Sequence, residues 1–425
     1  MPTRDGVSVH LLGFSSPGST GKALSFLFIS SVVILVIMGL LVLFWKCIKP
    51  KILSLKMVKS TKNGPEFPDY FSGNLRTISY FDYRTLKRAT RDFDTKNQLG
   101  RGGFGQVYKG KLVDGRMIAV KQLSLGNSQQ GESEFLAEVR MLTSIQHKNL
   151  VHLIGCCFEG AERLLVYEYM KNGSLDSIIY ENSETFLDWK IRFQIILGIA
   201  RGLQYLHEDS NIRIVHRDIK ASNILLDDKF QPRISDFGLA RFFPEDQLYL
   251  STAIAGTLGY TAPEYAIRGE LTEKADIYSF GVLALEIISS RKNTDLSLPT
   301  EMQYLPGYAW KLFERSRVID LVDPKLRTDG IVEKDVLQVC NVAFLCLQPH
   351  PSLRPPMSEI VAMLTCKIEP MATHVKPAIL ERKHRIDISL SLEPPSEVLS
   401  SPPQSNSTFS PLPNRFSPPC DAFRR

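Results

Sequence analysis

Cysteine is scarce and scattered in this sequence. The seven residues, Cys47, Cys156, Cys157, Cys340, Cys346, Cys366 and Cys420, include none in the N-terminal stretch. No disulfide framework can staple that stretch, and no two pairs have the spacing of a zinc site. Reduced, mostly buried thiols are expected. A large charge of one sign is lacking too: the net +6 is small for 425 residues and gives no reason to expect a nucleic-acid partner. No internal repeat is visible. Residues 1–22 contain no asparagine and too little chain to fold unaided.

What is present first is a long hydrophobic run. Ala23 to Trp45 carries no charge and is rich in Leu, Ile, Val and Phe. As a helix it would be about 34 Å long, enough for a hydrocarbon core of about 30 Å, so it reads as one transmembrane helix. A signal peptide would have a shorter apolar region followed by a small-x-small cleavage site, whereas Trp45-Lys46-Cys47 follows here. Lys46, Lys49, Lys51, Lys56, Lys59 and Lys62 then precede the first acid, Glu66, against only Arg4 and Lys22 before the run. The positive-inside rule therefore puts the C-terminal bulk in the cytoplasm. The basic flank reads both as a stop-transfer signal and as an attraction for anionic membrane lipid. Cys47 stands where palmitoylation occurs, an idle interfacial thiol being the plainer reading.

From about Phe81 to Cys366 the polar and apolar alternation is that of a folded domain, and 44% hydrophobic content is ample for a core. Beyond about Lys376 the chain turns to Ser and Pro, a composition that cannot bury enough apolar surface to fold. Two sequons, at Asn172 and Asn406, lie on the side assigned to the cytoplasm and are expected to carry no glycan.

In LGRGGFGQVYKG, Gly100, Gly102 and Gly105 form a G-x-G-x-x-G pattern, a weak signal alone, since a glycine-rich hairpin turn is an equally ordinary reading. A dinucleotide site needs a helix to begin at the glycines. Here the chain continues as strand instead: β-prone Gln106 to Lys109, an Asp114-Gly115 hairpin signal, then Met117 to Val120 ending at Lys121. Downstream, Phe135, Leu136, Val139, Leu142 and Ile145 form the apolar stripe of a helix expected from Glu132 to about Ile145. Glu138 falls on its inward side, where a buried acid needs a partner, and Lys121 is available.

IVHRDIKASNILL and ISDFGLA supply the remaining groups. Transferring a phosphoryl group to a hydroxyl needs a carboxylate to orient and accept the hydroxyl proton, oxygen ligands for magnesium, and cations against phosphate charge. Asp218, Asn223, Asp236 and Lys220 are those groups. Each alone has a bland reading as a turn residue. Their order and spacing together leave little to chance.

With these motifs the stretch from Thr95 to about Cys366 resembles a complete eukaryotic protein kinase domain of the plant receptor-like group. The likeness extends to TLGYTAPEY, DIYSFGV and HPSLRPPM. It implies an α+β, bilobal fold with a β-rich N-lobe and a mainly helical C-lobe. It implies Asp218, Lys220 and Asn223 as the catalytic residues and Asn223 and Asp236 as ligands of Mg2+, with Mn2+ as an alternative. For ATP it implies a lid of Leu99, Gly100, Arg101, Gly102, Gly103, Phe104 and Gly105, and an adenine slot of Val107, Ala119 and Leu225. Hinge contacts would come from Glu168 to Met170, Tyr167 would guard the back pocket, and Lys121 with Glu138 would hold the phosphates. Glu264 paired with Arg354 would brace the substrate platform, and Asp276 would hold the catalytic loop.

Lys220 and Thr257 resemble the serine/threonine pattern, so protein hydroxyls of Ser and Thr are the expected substrates. Arg217 beside Asp218 needs a counter-charge, and Ser251 and Thr252 sit where related chains carry a regulatory phosphate, Thr257 being more of a structural hydroxyl. The organisation expected is a short extracellular segment at 1–22, a transmembrane helix at 23–45, a basic juxtamembrane segment at 46–93, a kinase domain at 94–366 and a disordered tail at 367–425. The whole is then a single-pass plasma-membrane kinase that takes its input from partner receptor kinases. The alternative is a signalling scaffold in which the domain mainly binds other proteins.

Overall fold

The computed structural model describes residues 78–377, except for 103–104, 124–128, 161, 181–184, 245, 328–332 and 367–374. The expected membrane run at 23–45, Cys47, the lysine-rich flank and the Ser/Pro tail past 377 lie outside the described residues. Among those described, no helix is long and apolar enough to cross a membrane.

The N-terminal half is a six-stranded sheet with two helices: β1 (Ser79–Tyr80), α1 (Tyr83–Ala89), β2 (Gln98–Gly102), β3 (Gly105–Lys111), β4 (Met117–Leu123), α2 (Gln129–Ser144), β5 (Leu153–Glu159) and β6 (Glu162–Glu168). The strand order is β1-β5-β6-β4-β3-β2; β1 runs parallel to β5 and every other pair is antiparallel. The β3–β4 hairpin turns at Asp114-Gly115, where the Asp114 carboxylate accepts from Arg116 N at 3.0 Å and Gly115 takes φ +90°. Both features favour a tight turn. The helix expected from Glu132 begins one turn earlier, at Gln129.

The span 46–93 does not remain a linker throughout. Asp82 caps α1 by accepting from Thr85 N at 2.8 Å, and Leu86 lies fully buried with Ile118, Val120, Leu164 and Val166. Burying one leucine contributes about 1.5–3 kcal/mol, which is why residues 79–89 join the fold.

The C-terminal half is mainly helical. Its elements are α3 (Leu175–Ile179), α4 (Trp189–Gln204), β7 (Ile214–Val215), β8 (Ile224–Leu226), β9 (Pro232–Ile234), β10 (Arg241–Phe242), β11 (Leu250–Ser251), α5 (Pro263–Arg268), β12 (Glu270–Leu271), α6 (Glu273–Ser289), α7 (Leu305–Glu314), α8 (Pro324–Arg327), α9 (Glu333–Cys346) and α10 (Met357–Cys366). Thr272 caps α6, and every residue from Ala275 to Ser289 is buried, so this helix is the axis of the half. Within it Glu286 is fully buried, accepting from Tyr260 OH at 2.7 Å and Asn293 N at 2.7 Å. Cys156, Cys157, Cys340 and Cys346 are buried free thiols, and Cys366 is exposed.

Candidate active site

A cleft of about 580 Å³ opens between the sheet and the helices, with Leu99, Gly100, Arg101, Gly105, Val107 and Ala119 along its upper side. Its roof is the β2–β3 hairpin, in which Gly102 pairs with Gly105. Gly105 takes φ +134°, and a Cβ there would stand 2.0 Å from Gln122 O, so only glycine fits. At Gly100 a Cβ would meet nothing within 4 Å, which leaves bare backbone facing the cleft. Gly103 and Phe104 lie outside the described residues.

Lys121 enters the cleft from the middle of the sheet, since β4 pairs with both β3 and β6. Its ammonium donates to Glu138 Oε1 on α2 at 3.1 Å and to Asp236 Oδ1 at 2.9 Å. Burial alone would lower the ammonium pKa; the two carboxylates outweigh it and hold it above the ordinary value. Burial likewise pushes the Asp236 carboxyl up, and Lys121 more than offsets this, leaving it below the ordinary value. Tyr167, on β6, donates its hydroxyl to Glu138 Oε1 at 3.0 Å.

The floor of the cleft is one tightly bonded loop. Asp276, at the start of α6, accepts from His216 N at 2.7 Å and Arg217 N at 2.8 Å, and from His207 Nε2 at 3.0 Å when that nitrogen carries the proton. Held this way, Arg217 takes φ +74°, and Asp236 takes +66°. Such strained backbone persists only where its surroundings fix it. Asp218 is then surrounded: Oδ2 accepts from Asn223 Nδ2 at 2.9 Å and lies 2.8 Å from Lys220 Nζ, and Oδ1 accepts from Thr257 Oγ1 at 2.6 Å. Lys220 Nζ also donates to Thr257 Oγ1 at 2.9 Å. Two neighbours in sequence and one residue 39 positions away thus close a ring around one carboxylate.

Glu168, Met170 and Leu225 line the cleft where the halves join, and Val151 and Asp176 do so as well. Sequence reasoning missed the last two. Asp176 opens α3 in a stretch that reads only as a turn, and Val151 precedes β5 with no motif around it. Glu264 and Arg354 form a buried bidentate pair with contacts of 2.7 and 2.8 Å.

Arg217 is buried beside Asp218. Among the described residues no carboxylate lies within ion-pair distance of it. Its guanidinium instead donates to Leu239 O at 3.2 Å, Ala253 O at 2.7 Å and the Tyr265 hydroxyl at 3.1 Å. The charge is hydrogen-bonded but not neutralised. Ser251 is exposed on β11, and Thr252 N donates to Gly269 O at 3.5 Å.

These residues suit a nucleotide and a divalent ion. Asn223 spends its amide nitrogen on Asp218 and keeps an oxygen for a hard cation, and Asp236 engages Lys121 through only one carboxylate oxygen. The bare glycine backbone and the Lys121 ammonium suit phosphates, and the apolar Val107, Ala119 and Leu225 suit a flat ring.

Residues 93–364 match the family described as protein tyrosine and serine/threonine kinase. The chain is 55% identical over 289 residues to an LRR receptor-like serine/threonine-protein kinase of Arabidopsis thaliana, covering 68% of this chain and 28% of that protein. It is 50% identical over 293 residues to cold-responsive protein kinase 1 of the same plant, covering 68% of this chain and 74% of the relative. Against cysteine-rich receptor-like protein kinase 2 the identity is 46% over 335 residues, 77% of this chain and 52% of the relative. The chain therefore spans less than a third of the LRR relative. From the match over residues 93–364, and from relatives about 50% identical over two thirds of its length, the chain belongs to the protein tyrosine and serine/threonine kinase family, within its plant receptor-like group.

Proposed function

We propose that this chain is a membrane-anchored serine/threonine protein kinase that transfers the γ-phosphate of MgATP to protein hydroxyls. The observation that carries the reading is the ring of Lys220, Asn223 and Thr257 around the Asp218 carboxylate, in the cleft that the Lys121–Asp236 pair also lines. In the reaction the substrate hydroxyl oxygen bonds to the γ-phosphorus as the bond to the β–γ bridging oxygen breaks, and the hydroxyl proton passes to Asp218. Lys220 stabilises charge on the transferring group. Lys121, fixed by Glu138, holds the nucleotide phosphates, and the backbone of Glu168 and Met170 reads the adenine edge. Asn223 and Asp236 would hold the divalent ion, which supplies neutralisation of phosphate charge when bound. Thr257, bonded to both Asp218 and Lys220, supports hydroxyl rather than phenol acceptors.

Two regulatory features belong to the proposal. A phosphate on Ser251 or Thr252 would replace neutral acceptors around Arg217 with an anion and stabilise the activation segment. The apolar run 23–45 with its lysine flank supports a plasma-membrane location with the catalytic part in the cytoplasm, contact with anionic lipid, and input from partner receptor kinases. Glu264 with Arg354 would brace the platform on which protein substrates lie.

The test is autophosphorylation of the full chain with radiolabelled ATP and Mg2+, next to Lys121→Met and Asp236→Asn. The expected result is incorporation on Ser and Thr by the wild type alone. Equal incorporation by Asp236→Asn would remove the catalytic reading. Full cellular rescue by that inactive variant would favour the scaffold.

A further inference from the structure

Strand β1 lies on the edge of β5 and reaches the Lys121–Glu138 pair through a short chain of contacts. Ser79 pairs with Gly155 and Tyr80 with Cys156, and Phe81 N donates to Cys156 O at 2.9 Å. The approach depends on Gly155, where a Cβ would stand 2.0 Å from Ser79 O and 2.6 Å from the Phe81 ring. Tyr80 OH then donates to Phe158 O at 3.0 Å. The Phe158 ring carries the Arg163 guanidinium 3.6 Å from its centroid and stacks on Phe135 at 6.1 Å. Phe135, buried on α2, lies one helical turn before Glu138.

We propose that Tyr80 and Phe158 are positioning residues for phosphoryl transfer. Docking of β1 fixes Phe158, Phe158 fixes the Phe135 face of α2, and α2 holds Glu138 against Lys121. The inference rests on the kinase reading for its activity readout. It adds that the segment entering the domain from the N-terminal side sets how well α2 is seated. Packed elements move between discrete arrangements rather than deforming smoothly, so losing β1 releases α2 as a unit.

The experiment compares the full chain with Tyr80→Phe and Gly155→Ala, measuring amide exchange in 79–81 and α2, kcat, KM for ATP, and the melting temperature. Gly155→Ala is expected to release β1 and speed exchange in α2. Tyr80→Phe is expected to lower kcat about fivefold, the size of one part-buried hydrogen bond, with the melting temperature nearly unchanged. Protected α2 amides in Gly155→Ala overturn the proposal, as does faster α2 exchange with unaltered kcat. If Gly155→Ala does not fold, Tyr80→Phe decides alone: an unchanged kcat and unchanged α2 exchange overturn the idea. The exchange readout needs no phosphate transfer, so a wild type without activity would count against the kinase reading and leave the coupling measurable.

Discussion

The Glu264–Arg354 pair and the Lys121–Glu138–Asp236 cluster use the same charges in opposite settings. Arg354 has no exposed side-chain surface, grips Glu264 through two nitrogens, and donates also to Gln348 O at 2.9 Å and Lys274 O at 2.8 Å. Everything it touches belongs to the helical half. Lys121 instead joins a strand, a helix of the sheet half and a loop of the other half, and the Asp236 side chain is 30% exposed. A pair buried within one packed unit has nowhere to go. A cluster spanning three elements depends on how those elements sit, and under the proposed function its members are those a bound nucleotide would recruit. The first pair should therefore govern stability and the second activity.

The strongest challenge to that division is Asp236→Asn. It should lower the phosphorylation rate roughly a thousandfold by weakening ion binding, with an unfolding midpoint close to wild type. A large loss of stability would erase the contrast. Arg354→Met should do the reverse in kind. It leaves Glu264 buried and unpaired, and a loss of about 3–5 kcal/mol is expected in urea titrations.

Glu286 sharpens the comparison, because it is a buried acid with hydrogen bonds and no cation. Burial pushes its carboxyl from 4.5 up to about 7, against the hydrogen bonds of Tyr260 and Asn293 that lower it. The folded protein then keeps this proton longer than the unfolded chain does. Stability falls as pH rises from about 4.5 to about 7, by up to about 1.4 kcal/mol per unit, and the contribution is flat above. Urea midpoints across that window should decline in the wild type and decline less in Glu286→Gln. A steeper decline in the variant would contradict the assignment.

The smallest effect is expected from Tyr167→Phe. One hydrogen bond to Glu138 is lost, so kcat should fall about fivefold while the melting temperature hardly moves. An unchanged rate would show that Lys121 alone is enough to hold Glu138.

How far the sequence discloses these features depends on where their partners come from. Asp218, Lys220 and Asn223 fall within six positions of one another, so their chemistry is written locally. Lys121 and Glu138 are separated, yet each carries a charge that must find a partner when buried, and that necessity is itself a signal. The shell of Arg217 gives none, because Leu239 and Ala253 contribute only carbonyl oxygens, which every residue has. Strand β1 is silent for another reason. Two residues are too few to show a period, and the core place of Leu86 is settled only when β4 and β6 are already assembled.

The parallel pairing of β1 with β5 also bears on how the domain should be handled. Without residues 79–89, β5 would become the rim of the sheet, with unsatisfied amides and carbonyls ready to recruit a strand from another molecule. The site of Leu86 would be left as an apolar hollow beside it. A recombinant fragment begun at residue 94 would self-associate, and one begun ahead of residue 78 would stay monomeric.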